Sequence, residues 1–260
     1  MEAYVRRWKD TAVMAKRCLL CSRRNPDTLL TSIMLPALMM ILFVSLFGSL
    51  IHIEGVSYVN YIVPGVLLQC IGQCSSVTAV MINKDMTSGI VNRFCTLPIK
   101  QSSILNGHIL EAFLRSGLTS FVVLLVALLL GVRPSLEIFD LGVLFLLLSV
   151  SILAFSYGAA MVGIAANSAE GASACSALMV ILPYLSSGFA PAETLPPVMR
   201  VFAEYQPMTP VIDTMRNALA GKPLEVSGFI VSLLWCVGLS AVFYMISAAL
   251  FKRKKEGKKC

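Results

Sequence analysis

Long uncharged stretches recur along this chain, separated by shorter segments rich in charge, Gly and Pro. A helix rises 1.5 Å per residue, so about 20 apolar residues cross about 30 Å of hydrocarbon. Runs 29–50, 56–83, 105–132, 141–167, 171–191 and 226–251 reach that length. The pattern predicts an all-α polytopic membrane protein with six transmembrane helices in one domain, 1–260. Only Glu170 interrupts the stretch from 141 to 192. As one helix it would be about 78 Å long, so the chain must reverse near Asn167–Gly171, where Gly and small polar residues suit a tight turn.

Three segments outside the spans also carry helical spacing. In residues 1–27, Tyr4, Trp8, Ala12, Ala15 and Leu19 recur on one side while Arg6, Arg7, Lys9, Lys16 and Arg17 fill the other. That predicts an N-terminal amphipathic helix lying in the membrane interface, with a solvated tail as the plainer alternative. In the loop 84–104, Ile90, Phe94 and Leu97 fall at i, i+4 and i+7. A short helix with such a face needs a cover, either lipid or a partner protein. Segment 192–224 combines dense proline with two helical patterns. One follows Pro196-Pro197, and the other runs from Thr209-Pro210 to Gly221. The second is about 16 Å long, half a bilayer, so this segment is expected as an extracellular re-entrant helical hairpin.

Composition excludes a soluble domain. Apolar residues make up 57% of the chain and charged residues 13%, and the mean hydropathy is +0.80. A soluble protein carries about 25% charge. Basic residues then set the orientation. Segments 1–27, 84–115 and 252–259 hold 17 of the 21 Lys and Arg. By the positive-inside rule those segments, including the basic tail 252–260, and both termini face the cytoplasm of a multi-pass cell-membrane protein. The net charge of +7 reports topology, and no nucleic-acid partner is expected. None of the eight cysteines falls in an outer loop, so no disulfide framework is expected.

Candidate chemistry is sparse. No G-x-x-x-x-G-K-[ST] phosphate loop occurs, so this chain is not expected to bind ATP itself, and neither cofactor nor metal is expected on it. Cys18-x-x-Cys21 has no second pair or His cluster beside it. His52, next to Glu54, and His108 read as interfacial polar residues. Glu111 and Arg115 lie four apart near the inner surface, where an ion pair lowers the cost of both charges. They read as a structural pair, with transmission of motion as the alternative role.

Two stretches resemble a known family. Ser186-Ser187-Gly188-Phe189-Ala190-Pro191, continued through Pro196 and Pro197 to Pro207-Met208-Thr209-Pro210 and Arg216, resembles the signature of ABC type-2 permeases. The nearest subgroup is the daunorubicin-resistance drug exporters. Gly89-Ile90-Val91-Asn92-Arg93-Phe94-Cys95-Thr96-Leu97-Pro98 is similar to that family's coupling element, with Asn92 where the family usually has Glu and Leu97 inserted before Pro98. The resemblance implies the permease subunit of an ATP-driven exporter. A second permease chain, identical or homologous, would complete the path for an unidentified exported substrate. ATP and magnesium would sit on a separate ABC ATPase subunit docked at Gly89–Pro98, while Gly188, Phe189, Pro191, Pro196, Pro197, Pro207, Thr209, Pro210 and Arg216 would form the outer gate. A secondary carrier and a membrane-embedded enzyme or scaffold stay open as alternatives. They would call for charged midplane residues with an inverted repeat, or for a polar cluster at one depth.

Overall fold

The computed structural model describes residues 2–48, 57–96, 101–134, 137–191 and 194–256, without the side chains of 2–8, 92, 95, 101, 255 and 256. Among these residues every regular element is helical. In order they are α1 (Glu2–Arg24), α2 (Pro26–Phe47), α3 (Tyr58–Thr87), α4 (Ile90–Cys95) and α5 (Gln101–Leu129). Then follow α6 (Ile138–Ala165), α7 (Ala169–Ile181) with a 3-10 turn at Leu182–Leu185, α8 (Pro197–Tyr205), α9 (Met208–Leu219) and α10 (Val226–Glu256). His52, Glu54, Leu97 and Pro98, singled out above from the sequence, lie outside the described residues.

Five described helices are long and apolar enough to cross a membrane: Pro26–Phe47, Tyr58–Thr87, Ser102–Leu129, Ile138–Ala165 and Val226–Lys254. The sequence predicts six. The remaining apolar helix, Ala169–Leu185, is shorter and ends in a 3-10 turn that contains Pro183. Leu38 and Leu42 of α2, Phe121 and Leu125 of α5, Phe145 of α6, and Leu234 and Met245 of α10 all point outward. An apolar exterior of this kind suits lipid, and the chain is a multi-pass membrane protein.

α3 is the axis. Its middle is buried on all sides, and Val63, Val66, Leu67, Leu68, Cys70 and Ile71 are 0–2% exposed. Around it pack α2, α5, α6, α7 and α9. The turn between α6 and α7 is fixed by Asn83 of α3, whose Nδ2 donates to the carbonyls of Gly163 and Ala166 at 3.0 and 2.8 Å. Ser168 caps α7 by accepting from Gly171 N at 3.1 Å. From there the chain returns antiparallel to α3. Ser176 meets Ser76 at 2.7 Å, Met179 meets Gly72, and Gly188 meets Gly65. A Cβ on Gly72 would collide with the Met179 carbonyl oxygen, and one on Gly65 would stand 2.6 Å from that of Gly188. Small residues one to two turns apart let backbones approach where lipid offers no hydrophobic drive.

The bundle therefore has a basic end, bearing α1, α4 and the last turns of α10, and a proline-rich end, bearing α8 and α9.

Candidate functional site

At the basic end four helices meet around Asp85, in the last turn of α3. Arg17 of α1 donates to it through Nη1 and Nη2 at 2.6 and 3.0 Å. His108 of α5 places Nε2 3.1 Å away on the same carboxylate. The paired hydrogen bond to Asp85 raises the Arg17 guanidinium above its ordinary pKa, so it stays charged. Its other face covers the ring of Phe94, 5.0 Å from the centroid, which brings α4 into the same junction.

The loop reaches that position because Gly89 adopts a left-handed conformation, φ 77°, turning the chain out of α3 before Ile90 starts α4. Val91 is buried among Ile82, Ile104, Leu105, Ile109 and Phe251, and Phe94 packs at the edge of that cluster. Ile90 is half-buried; Arg93 and Thr96 are exposed. Thr96 closes the helix by donating to the Arg93 carbonyl at 2.7 Å. Of the coupling residues named from sequence, Val91 and Phe94 thus hold α4 to the bundle while Arg93 and Thr96 face outward.

Glu111 and Arg115 are buried inside the bundle, between α5 and α3. Their side chains are 0% and 1% exposed. Arg115 Nε donates to Glu111 Oε1 at 2.9 Å, and Nη2 donates to Thr78 of α3 at 2.6 Å, so the pair joins α5 to the axis. One atom, Arg115 Nη1, has no hydrogen-bond partner among the described residues.

At the proline-rich end Arg216 of α9 gathers the contacts. Its guanidinium stacks 3.7 Å from the centre of the Tyr61 ring. It donates to the Ser187 carbonyl at 2.6 Å, to the Tyr61 carbonyl at 3.2 Å, and to Asp213. Tyr61 and Tyr58 hydroxyls donate to the carbonyls of Ser187 and Phe189 at 2.9 and 3.2 Å. Phe189 stacks on Tyr184 with centroids 4.6 Å apart, and Phe43 of α2 closes the aromatic cluster at 5.1 Å.

The proline residues serve the turns. Pro196 and Pro197 open α8, where a missing N–H costs nothing. Pro207 occupies the N-cap position of α9, two residues before the Thr209-Pro210 start read from the sequence. Thr209 Oγ1 instead donates back to the Ala203 carbonyl, fastening α8 to α9. Pro191 and Pro210 are half-buried beside these turns. The structure thus brings Gly188, Phe189 and Arg216 together on α3 and leaves Pro196 and Pro197 at the surface.

Sequence reasoning missed the Arg17–Asp85–His108 junction. Its members lie 68 and 23 residues apart, with no shared motif. The only signal was three ionisable groups, each placed at the margin of an apolar run.

The described residues thus form a polytopic bundle of membrane-length helices, with the short α4 tethered at one end and α8 and α9 at the other. The family model for ABC-2 type transporters matches residues 9–220, and the chain belongs to that family. It is 29% identical over 245 residues to the daunorubicin resistance ABC transporter permease protein of Streptomyces coeruleorubidus, covering 92% of this chain and 84% of that one. A Mycobacterium tuberculosis protein named "Probable doxorubicin resistance ABC transporter permease protein" is 26% identical over 251 residues, covering 94% of this chain and 88% of its own. The chain is the permease, transmembrane subunit of an ABC exporter.

Proposed function

We propose that this permease crosses the membrane six times with both termini in the cytoplasm, and that a separate ABC ATPase drives it through residues 89–98. α7, its 3-10 turn and Ser186–Ala190 form the fifth crossing, supported by their antiparallel run along α3 from Asn83 to Gly65. α1 lies in the inner interface, and α8 with α9 forms the outer hairpin. Two such chains, identical or homologous, enclose the path. ATP and magnesium belong to the ATPase, and the exported molecule is an amphipathic compound of the kind named for the two relatives, with doxorubicin as the probe.

One observation carries this reading: α4 is a short helix held at both ends by membrane-length helices and pinned by Phe94 under Arg17. A push on α4 therefore reaches α1, α3 and α5 together. Arg93, exposed on α4, is the test residue. Reversing its charge with Arg93→Glu should lower co-purification of the ATPase subunit with tagged permease by about tenfold, about 1.4 kcal/mol, and leave the thermal stability of the permease unchanged. Unchanged co-purification would place the ATPase elsewhere. Phe94→Ala should lower it as well, by freeing α4 from the apolar cluster that orients it.

A further inference from the structure

The transport reading gives Cys18-x-x-Cys21 no role, and the sequence shows no histidine near it. The fold supplies one from 90 residues away: His108 Nδ1 lies 3.5 Å from Cys18 Sγ. The opposite ring nitrogen meets Asp85 Oδ2 at 3.1 Å. The ring lies between the carboxylate and the thiol, one nitrogen against each. Thiol, imidazole and carboxylate are thus in line, the arrangement that activates a cysteine. They border a cavity of about 130 Å³, also lined by Arg17, Lys84 and Cys21. Cys18 and Asp85 approach opposite edges of the ring, so they cannot share one metal ion with it, and no three His, Cys, Asp or Glu among the described residues converge as metal ligands.

We propose that Cys18 is an oxidant-reactive thiol, with His108 as its base, Asp85 as the positioning residue for His108, and Cys21 as the resolving thiol. Cys18 is only 2% exposed, so the oxidant must be small. A hydroperoxide such as hydrogen peroxide, not much larger than a water of about 30 Å³, fits the cavity; a peptide disulfide does not. His108 Nδ1 takes the Cys18 proton, and the thiolate sulfur attacks one peroxide oxygen. The O–O bond breaks, and the departing hydroxide takes the imidazolium proton and leaves as water. Cys18 becomes a sulfenic acid. Cys21 sulfur then attacks the sulfenic sulfur, the S–O bond breaks, and a second water leaves as the disulfide forms. Two thiols supply the two electrons that reduce one peroxide. Residues three apart on a helix have Cα atoms about 5 Å apart, inside the range a disulfide spans. Oxidation removes the Cys18–His108 contact and loosens α1 against α3 and α5. This chemistry rests on the local geometry and not on the transport reading.

The test uses the full chain in proteoliposomes, titrated with hydrogen peroxide, denatured, alkylated and read by peptide mass spectrometry. A Cys18–Cys21 disulfide reversible by dithiothreitol should form at least tenfold faster than any oxidation of Cys70, Cys74 or Cys236, which are buried elsewhere in the bundle. In Cys21→Ser, Cys18 should still oxidise at that rate and stop as a sulfenic acid trapped by dimedone. In His108→Gln the rate should fall at least tenfold. Oxidation of Cys18 no faster than those three cysteines in the unaltered chain would overturn the proposal and leave the thiol as packing against the ring. Failure of Cys18 to oxidise in Cys21→Ser would overturn it too, by making Cys21 the reactive group.

Discussion

At the basic end the helices meet through charged side chains; at the proline-rich end they meet through backbone. Arg17 and Asp85 belong to different helices and are 29% and 15% exposed, so a shift of a few ångströms can exchange their bond for water. Around Arg216, by contrast, three of the named acceptors are main-chain carbonyls of residues 61, 187 and 189, and Gly65 touches Gly188 with no side chain between. Carbonyls and glycine contacts fix one register and admit no small adjustment. The difference is one of compliance: charged side chains that water can replace join α1, α3 and α5 at one end, and α9 is held on α3 through main-chain carbonyls at the other. Between the two, Glu111 and Arg115 tie α5 to the axis.

Three substitutions would break or sharpen that contrast. The largest effect is expected midway, where Arg115→Ala strands a fully buried Glu111; the cost should be about 3–5 kcal/mol, read as loss of monodisperse protein or a large fall in melting temperature in detergent. A Glu111→Leu, Arg115→Met double variant should lose less than the single change, because no lone charge is left buried. Next comes Gly65→Ala at the proline-rich end. The added Cβ meets backbone atoms of Gly188 at 2.6 to 2.8 Å, and about 1–3 kcal/mol of destabilisation is expected. Gly117→Ala, with nothing within 4 Å, should cost nothing and serves as the control. Smallest is Arg17→Ala at the basic end, expected below about 1 kcal/mol in the same melting experiment. A larger loss for Arg17→Ala than for Gly65→Ala would reverse the contrast between the two ends.

Hydrophobic run lengths made the long helices legible, because crossing a bilayer demands about 20 apolar residues whatever their order. The fifth run gives a shorter apolar helix, Ala169–Leu185, ending in a 3-10 turn that contains Pro183, a break that run length alone does not weigh. The Gly188–Phe189 and Arg216 stretches were legible as motifs, but their common anchor on Tyr61 of α3 was not, since no spacing relates residue 61 to 187 or 216. For α4 the periodicity pointed to Ile90 and Phe94 as one free face. The structure turns Phe94 under Arg17 and buries Val91, because a six-residue helix is oriented by its tethers more than by its own stripe. His108, read as an interfacial polar residue, proved to be the bridge between Asp85 and Cys18.

The central claim is that ATP-driven motion enters at α4 and reaches the proline-rich end through the Arg17–Asp85 brace. It is tested by an environment-sensitive fluorescent amino acid placed at Val198, an exposed position on α8. The permease is reconstituted with its ATPase subunit, and fluorescence is followed on adding ATP while hydrolysis is measured in parallel. The unaltered chain should give a fluorescence change with each round of hydrolysis. Arg17→Ala should keep ATP hydrolysis within about twofold and lose at least nine-tenths of the change. An undiminished response from Val198 in Arg17→Ala would contradict the account, because the outer hairpin would then be driven without the brace.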